Sequence, residues 1–260
     1  MPSLRSLARW TSLVCALGTT LLAPVLAQRA GTPRVLVYTR NYTPDGRGYV
    51  HENIAESITA FRRICAGHGI IMDTSDDPAV FTPANLARYE ALIFSNSNNE
   101  AFATNAQRDA FRSYIHAGHG FLAVHSASGS ERNWPYFQQV LGGLFAFHPP
   151  QQTFTVRVAD TAFTAVSTLP VSFAWNDECY FLDSLAPDLH IVLTTAKNKL
   201  DLDGKDATAY PDAVPLAWYH TFDNSREFYI ALGHNRTDYS NPLFTGILER
   251  ALLWCVQAQA

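Results

Sequence analysis

One histidine occupies the position at which many α/β enzymes place a nucleophile. The segment GFLAVHSASG, residues 120–129, is an apolar strand-like run that ends in a turn of small residues with His125 at its apex. Such strand-to-helix elbows commonly present a Ser or Cys for covalent catalysis. An imidazole at this apex leaves three alternatives: an enzyme that has lost its nucleophile, an enzyme that uses His125 in another role, and a protein that is not an enzyme.

Further polar residues follow other strand-like segments. Because ligands of open α/β sheets bind at the carboxyl ends of the strands, these residues should meet at one edge of the sheet. The residues that end strand-like runs are Arg40, Asn41, Asn96, Asp177, Glu178, His220 and His234. Among them, His220 is expected to be a structural histidine.

Aromatic residues lie close to these groups in the sequence. Three of them, each near the histidine turn or a titratable strand end, are Trp134, Tyr180 and Trp218. Many large aromatic residues pack in cores, but a sugar ring also binds where a flat apolar surface lies beside hydrogen-bonding groups. Aromatic residues placed in this way would suit a small-molecule carbohydrate as the partner.

The elements that position these residues alternate between strand and helix in the first half of the chain. Strand-like runs cover residues 34–39, 69–75, 91–97 and 120–125. Helical periodicity lies between them, and Thr104 with Gln107 has the spacing of a capping box. Repeated strand–helix units of this length predict an α/β fold with a parallel sheet and helices on both faces.

Short alternating strands replace this pattern after Pro149. These segments, separated by Pro, Asp, Asn and Gly, are 154–160, 171–177, 190–196, 214–220 and 227–234. They predict a largely antiparallel β elaboration of the parallel core, followed by a last helix from about residue 241 to residue 256. Since no linker or repeat interrupts the chain, residues 28–260 are expected to form a single domain.

The first 27 residues have the pattern of a secretory signal peptide. Arg5 and Arg9 precede a short apolar run, and small residues end at Ala27. This pattern predicts cleavage near Ala27 and a secreted or periplasmic protein. The apolar run is shorter than a membrane-spanning helix requires, so we expect no membrane span.

Charge and cysteine content limit the classes of partner and the disulfide bonds that the protein can have. The formal net charge is −4 and no Lys/Arg cluster occurs, so a nucleic-acid partner is not expected. Beyond the signal segment the cysteines are Cys65, Cys179 and Cys255, an odd number that excludes a fully paired framework. Cys65 and Cys255 fall on the first and last predicted helices, which leaves open either a disulfide between them or three buried thiols.

Several motifs, in order along the chain, resemble the ThuA-like (trehalose utilisation) family. The matching segments are GYVHENI, GHGFLAVHSAS, NWPYFQQVLGGLFAFHPP, NDECYF, YIALGHN and DYSNPLF. The resemblance implies a flavodoxin-like fold similar to class I glutamine amidotransferases, with His125 where those enzymes carry their catalytic Cys. The positions that match the family's motifs are His51, Glu52, His125, His148, Asp177, Glu178, Tyr180 and His234.

The resemblance also implies a chemistry, because the family is associated with sugars oxidised to 3-keto glycosides. A base near neutral pKa, an acid and a positive group at the enolate oxygen would then cleave the C–O bond. The catalytic candidates are His51, His125, His148, Asp177, Glu178 and His234, and the substrate-binding candidates are Glu52, Asn96, Trp134, Tyr180 and Trp218.

No ligand-spacing motif identifies a cofactor. A divalent metal, Zn²⁺ or similar, could nevertheless be held by His125, His148, His234 and Glu178. Two other functions stay open at this point. One is a sugar-binding module that has lost turnover. The other is a peptidase or amidase that uses Ser126, which is one residue from the apex and whose side chain is expected to point elsewhere.

Overall fold

The computed structural model describes residues 31–46 and 48–257. The predicted signal peptide, residues 1–27, and the expected domain start at residue 28 lie outside the described residues. None of the described helices is long and apolar enough to cross a membrane.

Strands and helices follow one another through the described residues. The strands are β1 (Arg34–Tyr38), β2 (Asn41–Tyr42), β3 (Ile71–Ser75), β4 (Ala91–Ser95), β5 (Asn98–Asn99), β6 (Gly120–Val124), β7 (Leu144–Phe147), β8 (Gln152–Val158), β9 (Ser172–Asp177), β10 (Phe181–Asp183), β11 (His190–Ala196), β12 (Ala213–Phe222) and β13 (Ser225–Ile230). The α-helices are α1 (Ile54–Gly67), α2 (Pro83–Leu86), α3 (Asn105–His116), α4 (Pro135–Leu141) and α5 (Pro242–Val256). Short 3₁₀ turns cover Pro78–Val80, His125–Gly129, Lys197–Lys199 and Arg236–Ser240.

A nine-stranded sheet organises the fold, with the strand order β3-β1-β4-β6-β13-β12-β11-β8-β9. The first five strands are parallel to one another, and their order is that of flavodoxin-like sheets. The remaining four pair antiparallel. The predicted fold class, a parallel sheet with an antiparallel elaboration, is confirmed.

β13 is the point at which the two halves of the sheet meet. Its sequence was expected to belong to the antiparallel elaboration, but it pairs parallel with β6 on one side and antiparallel with β12 on the other. A two-residue turn connects β12 to β13, with φ of 46° at Asp223 and 73° at Asn224, as in tight hairpins. Local alternation describes a strand but does not specify its second neighbour, which explains the difference.

Helices cover both faces of the parallel strands, as predicted. Val35 and Ile93 pack on the side of α1 and α5, whereas Leu36 and Leu92 pack on the side of α3 and α4. Successive strand residues point to opposite faces, so each strand contributes to both layers. The predicted capping box at Thr104 is also confirmed at the start of α3.

Cys65, Cys179 and Cys255 are free and buried. α1 and α5 pack on the same face, as the disulfide hypothesis required, but Cys65 and Cys255 keep separate thiols. The structure therefore favours the alternative of three buried thiols.

Two small sheets extend the fold near the carboxyl edge of the parallel strands. β2 pairs parallel with β5, and β7 pairs antiparallel with β10. Neither pair was predicted, because strands of two to four residues carry too little periodicity to be recognised. β7 and β10 border the segments that hold His148 and Tyr180.

One carboxyl group is buried in the core without a partner. Glu227 on β13 is 1% exposed, and neither carboxyl oxygen has a hydrogen bond. The nearby Ser225 hydroxyl donates to the His119 carbonyl oxygen. Burial raises the pKa of Glu227 well above its ordinary value, so the folded protein keeps this group protonated where the unfolded chain ionises it.

We therefore expect Glu227→Gln to change the pH dependence of stability. Above the ordinary Glu pKa, the wild-type loses about 1.4 kcal/mol of unfolding free energy per pH unit from this group. The loss continues with rising pH up to the raised pKa of Glu227 in the folded protein. The Gln variant has no titratable group at this position and does not show this loss. Urea unfolding of both proteins at pH 5, 6 and 7 measures the difference, which should grow with pH in favour of the variant. A difference that stays constant with pH would contradict the prediction.

Candidate functional site

His125 lies directly after β6, and its side chain is fully buried. Its φ of 52° is in the left-handed region, which few residues other than Gly adopt. The ring Nδ1 lies 2.7 Å from the Ala231 carbonyl oxygen. A carbonyl oxygen only accepts hydrogen bonds, so Nδ1 carries the hydrogen and the Nε2 of the neutral ring presents a lone pair.

Three further side chains direct polar atoms towards this lone pair. His51 Nε2 lies 3.1 Å from His125 Nε2, and Glu178 Oε2 lies 3.5 Å from it. Glu178 Oε2 also lies 3.2 Å from His234 Nδ1. One nitrogen or oxygen from each residue lies within 4.8 Å of the others. We refer to His51, His125, Glu178 and His234 as the four-residue cluster.

The cluster is assembled from four separate segments of the chain. His51 precedes α1, His125 follows β6, Glu178 follows β9 and His234 follows β13. β9 runs in the direction of the parallel strands, because four antiparallel pairings separate it from β13. Its carboxyl end therefore reaches the same edge, as expected from the position of ligand sites in open sheets.

Asp177 and Glu178 occupy different environments although they are adjacent. Asp177 is fully buried and accepts hydrogen bonds from Gly233 N at 2.8 Å and Trp175 Nε1 at 3.1 Å. The expectation that both carboxyl groups work on substrate is thus not supported by their placement, since successive residues of an extended chain point to opposite sides. Asp177 instead holds the backbone of the loop that carries His234.

Burial and hydrogen bonding adjust the pKa values of the cluster. Burial raises the pKa of Glu178, but the nearby His125 and His234 rings outweigh it and hold that pKa well below its usual range. The close contact with the Glu178 carboxylate raises the pKa of His234. Burial, reinforced by charge repulsion from His125, lowers the pKa of His51 to about 3. At neutral pH, Glu178 is therefore ionised and His51 is neutral.

The cluster opens onto a cavity of about 410 Å³. The residues that line it are Tyr49, His51, Asn98, Ser126, Gly129, Arg132, Phe145, His148, Glu178, Tyr180 and His234. His125 lies behind this wall, where the Tyr180 hydroxyl is 2.9 Å from its Nε2. Cavities of this volume commonly bind small molecules.

Polar groups on the cavity wall are available to a ligand. Ser126 is one of the lining residues, and its Oγ is buried without a hydrogen-bond partner. Arg132 donates to the Gly129 carbonyl oxygen and to Asn98 Oδ1, and none of the ion pairs among the described residues involves its guanidinium. Its remaining N–H groups are thus free to bind a ligand oxygen.

His148 contributes to the cavity wall beside the cluster. Its Nδ1 lies 2.8 Å from the Pro149 carbonyl oxygen, and its Nε2 lies 3.5 Å from Glu178 Oε1. His51, and not His148, completes the set of atoms that could share one metal ion. The ligand set expected from the sequence therefore differs in one member.

Four of the predicted substrate-binding residues lie elsewhere. Glu52 is exposed and Asn96 is buried behind the site, where its side chain donates to the Tyr239 hydroxyl. Trp218 is buried in the core and donates to the Leu141 carbonyl oxygen. Trp134 lies in a separate surface groove. Of the five predicted residues, Tyr180 is the one that the structure brings to the cavity.

Several cavity residues were not predicted from the sequence. They are Tyr49, Asn98, Arg132 and Phe145. Asn98 follows the same strand as Asn96, and the rule on strand ends could have identified it. Arg132 belongs to the loop that begins at His125, whereas Phe145 lies on an unpredicted strand and has no distinguishing signal.

Comparisons with known proteins bear on the fold and the family. A family profile described as trehalose utilisation, ThuA, matches residues 34–255. A ThuA-like protein from Bacteroides uniformis ATCC 8492 has a TM-score of 0.70 at 24% identity, over 88% of this chain and 94% of that chain. One from Parabacteroides merdae ATCC 43184 has a TM-score of 0.67 at 16% identity, over 87% and 91%. These likenesses show a shared fold. No curated protein matches the sequence.

Proposed function

Because the chain belongs to the ThuA, or trehalose utilisation, family, we propose that it is a carbohydrate-active enzyme. Its substrate in this proposal is a disaccharide or glycoside, oxidised to the 3-keto form, and its reaction is acid/base-assisted C–O cleavage. The observation that carries the proposal is one cavity lined by aromatic rings, hydrogen-bonding side chains and titratable groups. We place the activity outside the cytoplasm, as the pattern of residues 1–27 suggests.

In this proposal, aromatic and polar residues of the cavity wall bind the sugar. Tyr49, at its mouth, is 59% exposed, and Phe145 lines it further along. Aromatic rings offer flat apolar faces, which suit the C–H faces of a pyranose. Ser126, Asn98 and Arg132 supply hydrogen-bonding groups for its hydroxyl and carbonyl oxygens.

The chemistry follows from the acidity that a ketone gives to its neighbouring carbon. A carbonyl at C3 acidifies the C2 hydrogen, and a base removes it as a proton. The C2–H electron pair then forms the C1–C2 double bond as the C1–O bond breaks, and the departing oxygen takes up a proton. Water adds its oxygen to C1 and its hydrogen to C2, so the net reaction is hydrolysis.

In this proposal, His148 moves these protons. Since its Nδ1 hydrogen is directed at the Pro149 carbonyl oxygen, Nε2 is left to accept a proton. Glu178 Oε1, 3.5 Å from this Nε2, would stabilise the imidazolium that forms. The side chain is 34% exposed, so a substrate in the cavity can reach it.

Covalent catalysis has less support in this site. The three thiols are buried, and none of them lines the cavity. Ser126 reaches the cavity, but its Oγ has no hydrogen-bonded base to activate it. These observations disfavour the amidase alternative.

An NMR time course with 3-keto-trehalose beside unoxidised trehalose tests the proposal. We expect glucose and a keto sugar to appear from the oxidised substrate alone. Cleavage of both substrates would contradict the keto-dependent mechanism. Saturable binding of the keto sugar without any cleavage would favour the sugar-binding module instead.

We further expect His148→Gln to lower the rate of cleavage by about 10²–10⁴-fold, the usual contribution of a positioned acid or base. Gln has a similar reach but does not take up a proton at neutral pH. The measurement is kcat/KM with the keto sugar. His116→Gln, at an exposed helix end, is the matched control and should keep the wild-type rate. Equal rates for both variants would remove His148 from the mechanism.

A further inference from the structure

We infer that the four-residue cluster binds one divalent transition-metal cation of the Zn²⁺ type. Three imidazoles and one carboxylate form a donor set that such cations prefer, whereas Mg²⁺ and Ca²⁺ prefer oxygen ligands. The inference extends the proposed function, but metal binding can be measured without any substrate.

The arrangement of the nitrogen atoms carries the inference. His125 Nε2 and His51 Nε2 lie 3.1 Å apart, and the first of them presents a lone pair because Nδ1 donates to Ala231. His51 is 4% exposed, and its Nδ1 has no hydrogen-bond partner. Either neutral tautomer of His51 therefore leaves one buried ring nitrogen unsatisfied, which is unfavourable in a site that contains protein alone.

A shared cation would explain why these groups converge. It would accept the lone pairs of both Nε2 atoms at once and would neutralise the Glu178 carboxylate. The two carboxylate oxygens of Glu178 contact different histidines: Oε2 faces His125 and His234, and Oε1 faces His148. The Tyr180 hydroxyl, 2.9 Å from His125 Nε2, would lie beside the cation.

Surrounding groups hold the cluster in the manner of metal sites. A ligating histidine typically donates its other ring N–H to a carbonyl or carboxylate, as His125 does to Ala231. The loop before His234 is fixed twice: Asp177 accepts from Gly233 N, and the Asn53 amide donates to the carbonyl oxygens of Gly233 and His234.

The site would keep one side open to ligands. His51, Glu178 and His234 line the cavity, whereas His125 lies behind them. Catalytic metal sites differ from structural ones in having such an open position. A cation here could polarise the carbonyl oxygen of a keto sugar.

The test uses purified protein without a polyhistidine tag, stripped with chelator. Titration with ZnCl₂ by calorimetry, followed by dialysis and elemental analysis, should give one equivalent of Zn²⁺ with a Kd of about 1 μM or below. MgCl₂ should give no comparable binding. Bound Zn²⁺ should also raise the midpoint of thermal unfolding, because it binds the folded state alone.

Variants locate the site and separate the two proposals. His51→Gln and His234→Gln should each weaken Zn²⁺ binding by at least about 100-fold, and two variants guard against one that fails to fold. His148→Gln should bind Zn²⁺ as the wild-type does while losing cleavage. Zn²⁺ binding without cleavage in the wild-type would overturn the proposed function alone. Absence of a tight site, or a site unaffected in both variants, would overturn the metal inference.

Discussion

Replacing Glu178 by Gln should lower the rate of C–O cleavage by about 10³-fold or more while the protein stays folded. The Glu178 carboxylate lies between the histidines of the site, because its two oxygens approach His125, His148 and His234. Gln keeps the shape of the side chain, but it removes the negative charge and introduces an N–H₂ group that faces the same nitrogens. A loss of this size is typical when a positioned charged group at a reaction centre is neutralised.

The measurement is kcat/KM with the 3-keto sugar, together with the Zn²⁺ content of the variant. Glu249→Gln is the matched control, since Glu249 lies on α5, is 41% exposed and pairs with His68. It should keep the wild-type rate. If Glu178→Gln loses cleavage and keeps Zn²⁺, the carboxylate acts mainly through His148. If it retains more than about a tenth of the rate, Glu178 is not part of the reaction.

The parallel core of the fold could be predicted because its signals are local. Buried strands such as β1 and β4 are continuous apolar runs, and the helix signals at Thr104 and around residues 54–67 come from a few neighbouring residues. The pairing partners of β13 could not be predicted from local signals. Its two edges pair with β6 and β12, which lie at different distances along the chain. Pairing partners of this kind are decided by tertiary packing.

Three of the four cluster residues could be predicted because the end of a strand is also a local signal. His125, Glu178 and His234 all follow strands, and the direction of a strand fixes the edge at which its last side chain lies. His51 and His148 have no such signal, and the family motifs supplied them. Which of these two belongs to the proposed metal site depends on distances of a few ångströms between loops, which the order of residues does not contain.

The aromatic residues show where sequence reasoning failed. Trp134 and Trp218 are close in sequence to titratable residues, but Trp134 directly precedes α4 and lies outside the cavity. Trp218 and His220 share one face of β12, and both are buried there against the carbonyl oxygens of α4. The aromatic residues of the cavity, Tyr49 and Phe145, are brought there by a loop and by a short strand. Their position depends on contacts between distant segments.

The largest expected effect on stability is at Gly120, the first residue of β6. A Cβ atom at this position would overlap the Cys255 carbonyl oxygen and would lie 2.7 Å from the Cys255 carbonyl carbon. The clash is with backbone, so no side-chain rotation relieves it, and α5 would have to move away from the sheet. We expect Gly120→Ala to reduce the free energy of unfolding by about 3 kcal/mol.

Gly67→Ala provides the matched control for this prediction. Gly67 is the last residue of α1, and a Cβ there meets no atom within 4 Å. Ala is the better helix former, so this variant should be unchanged or more stable by up to about 1 kcal/mol. Thermal unfolding should show Gly120→Ala melting roughly 6–12 °C below the wild-type. If both variants melt together, the packing of α5 against the start of β6 is looser than the structure describes.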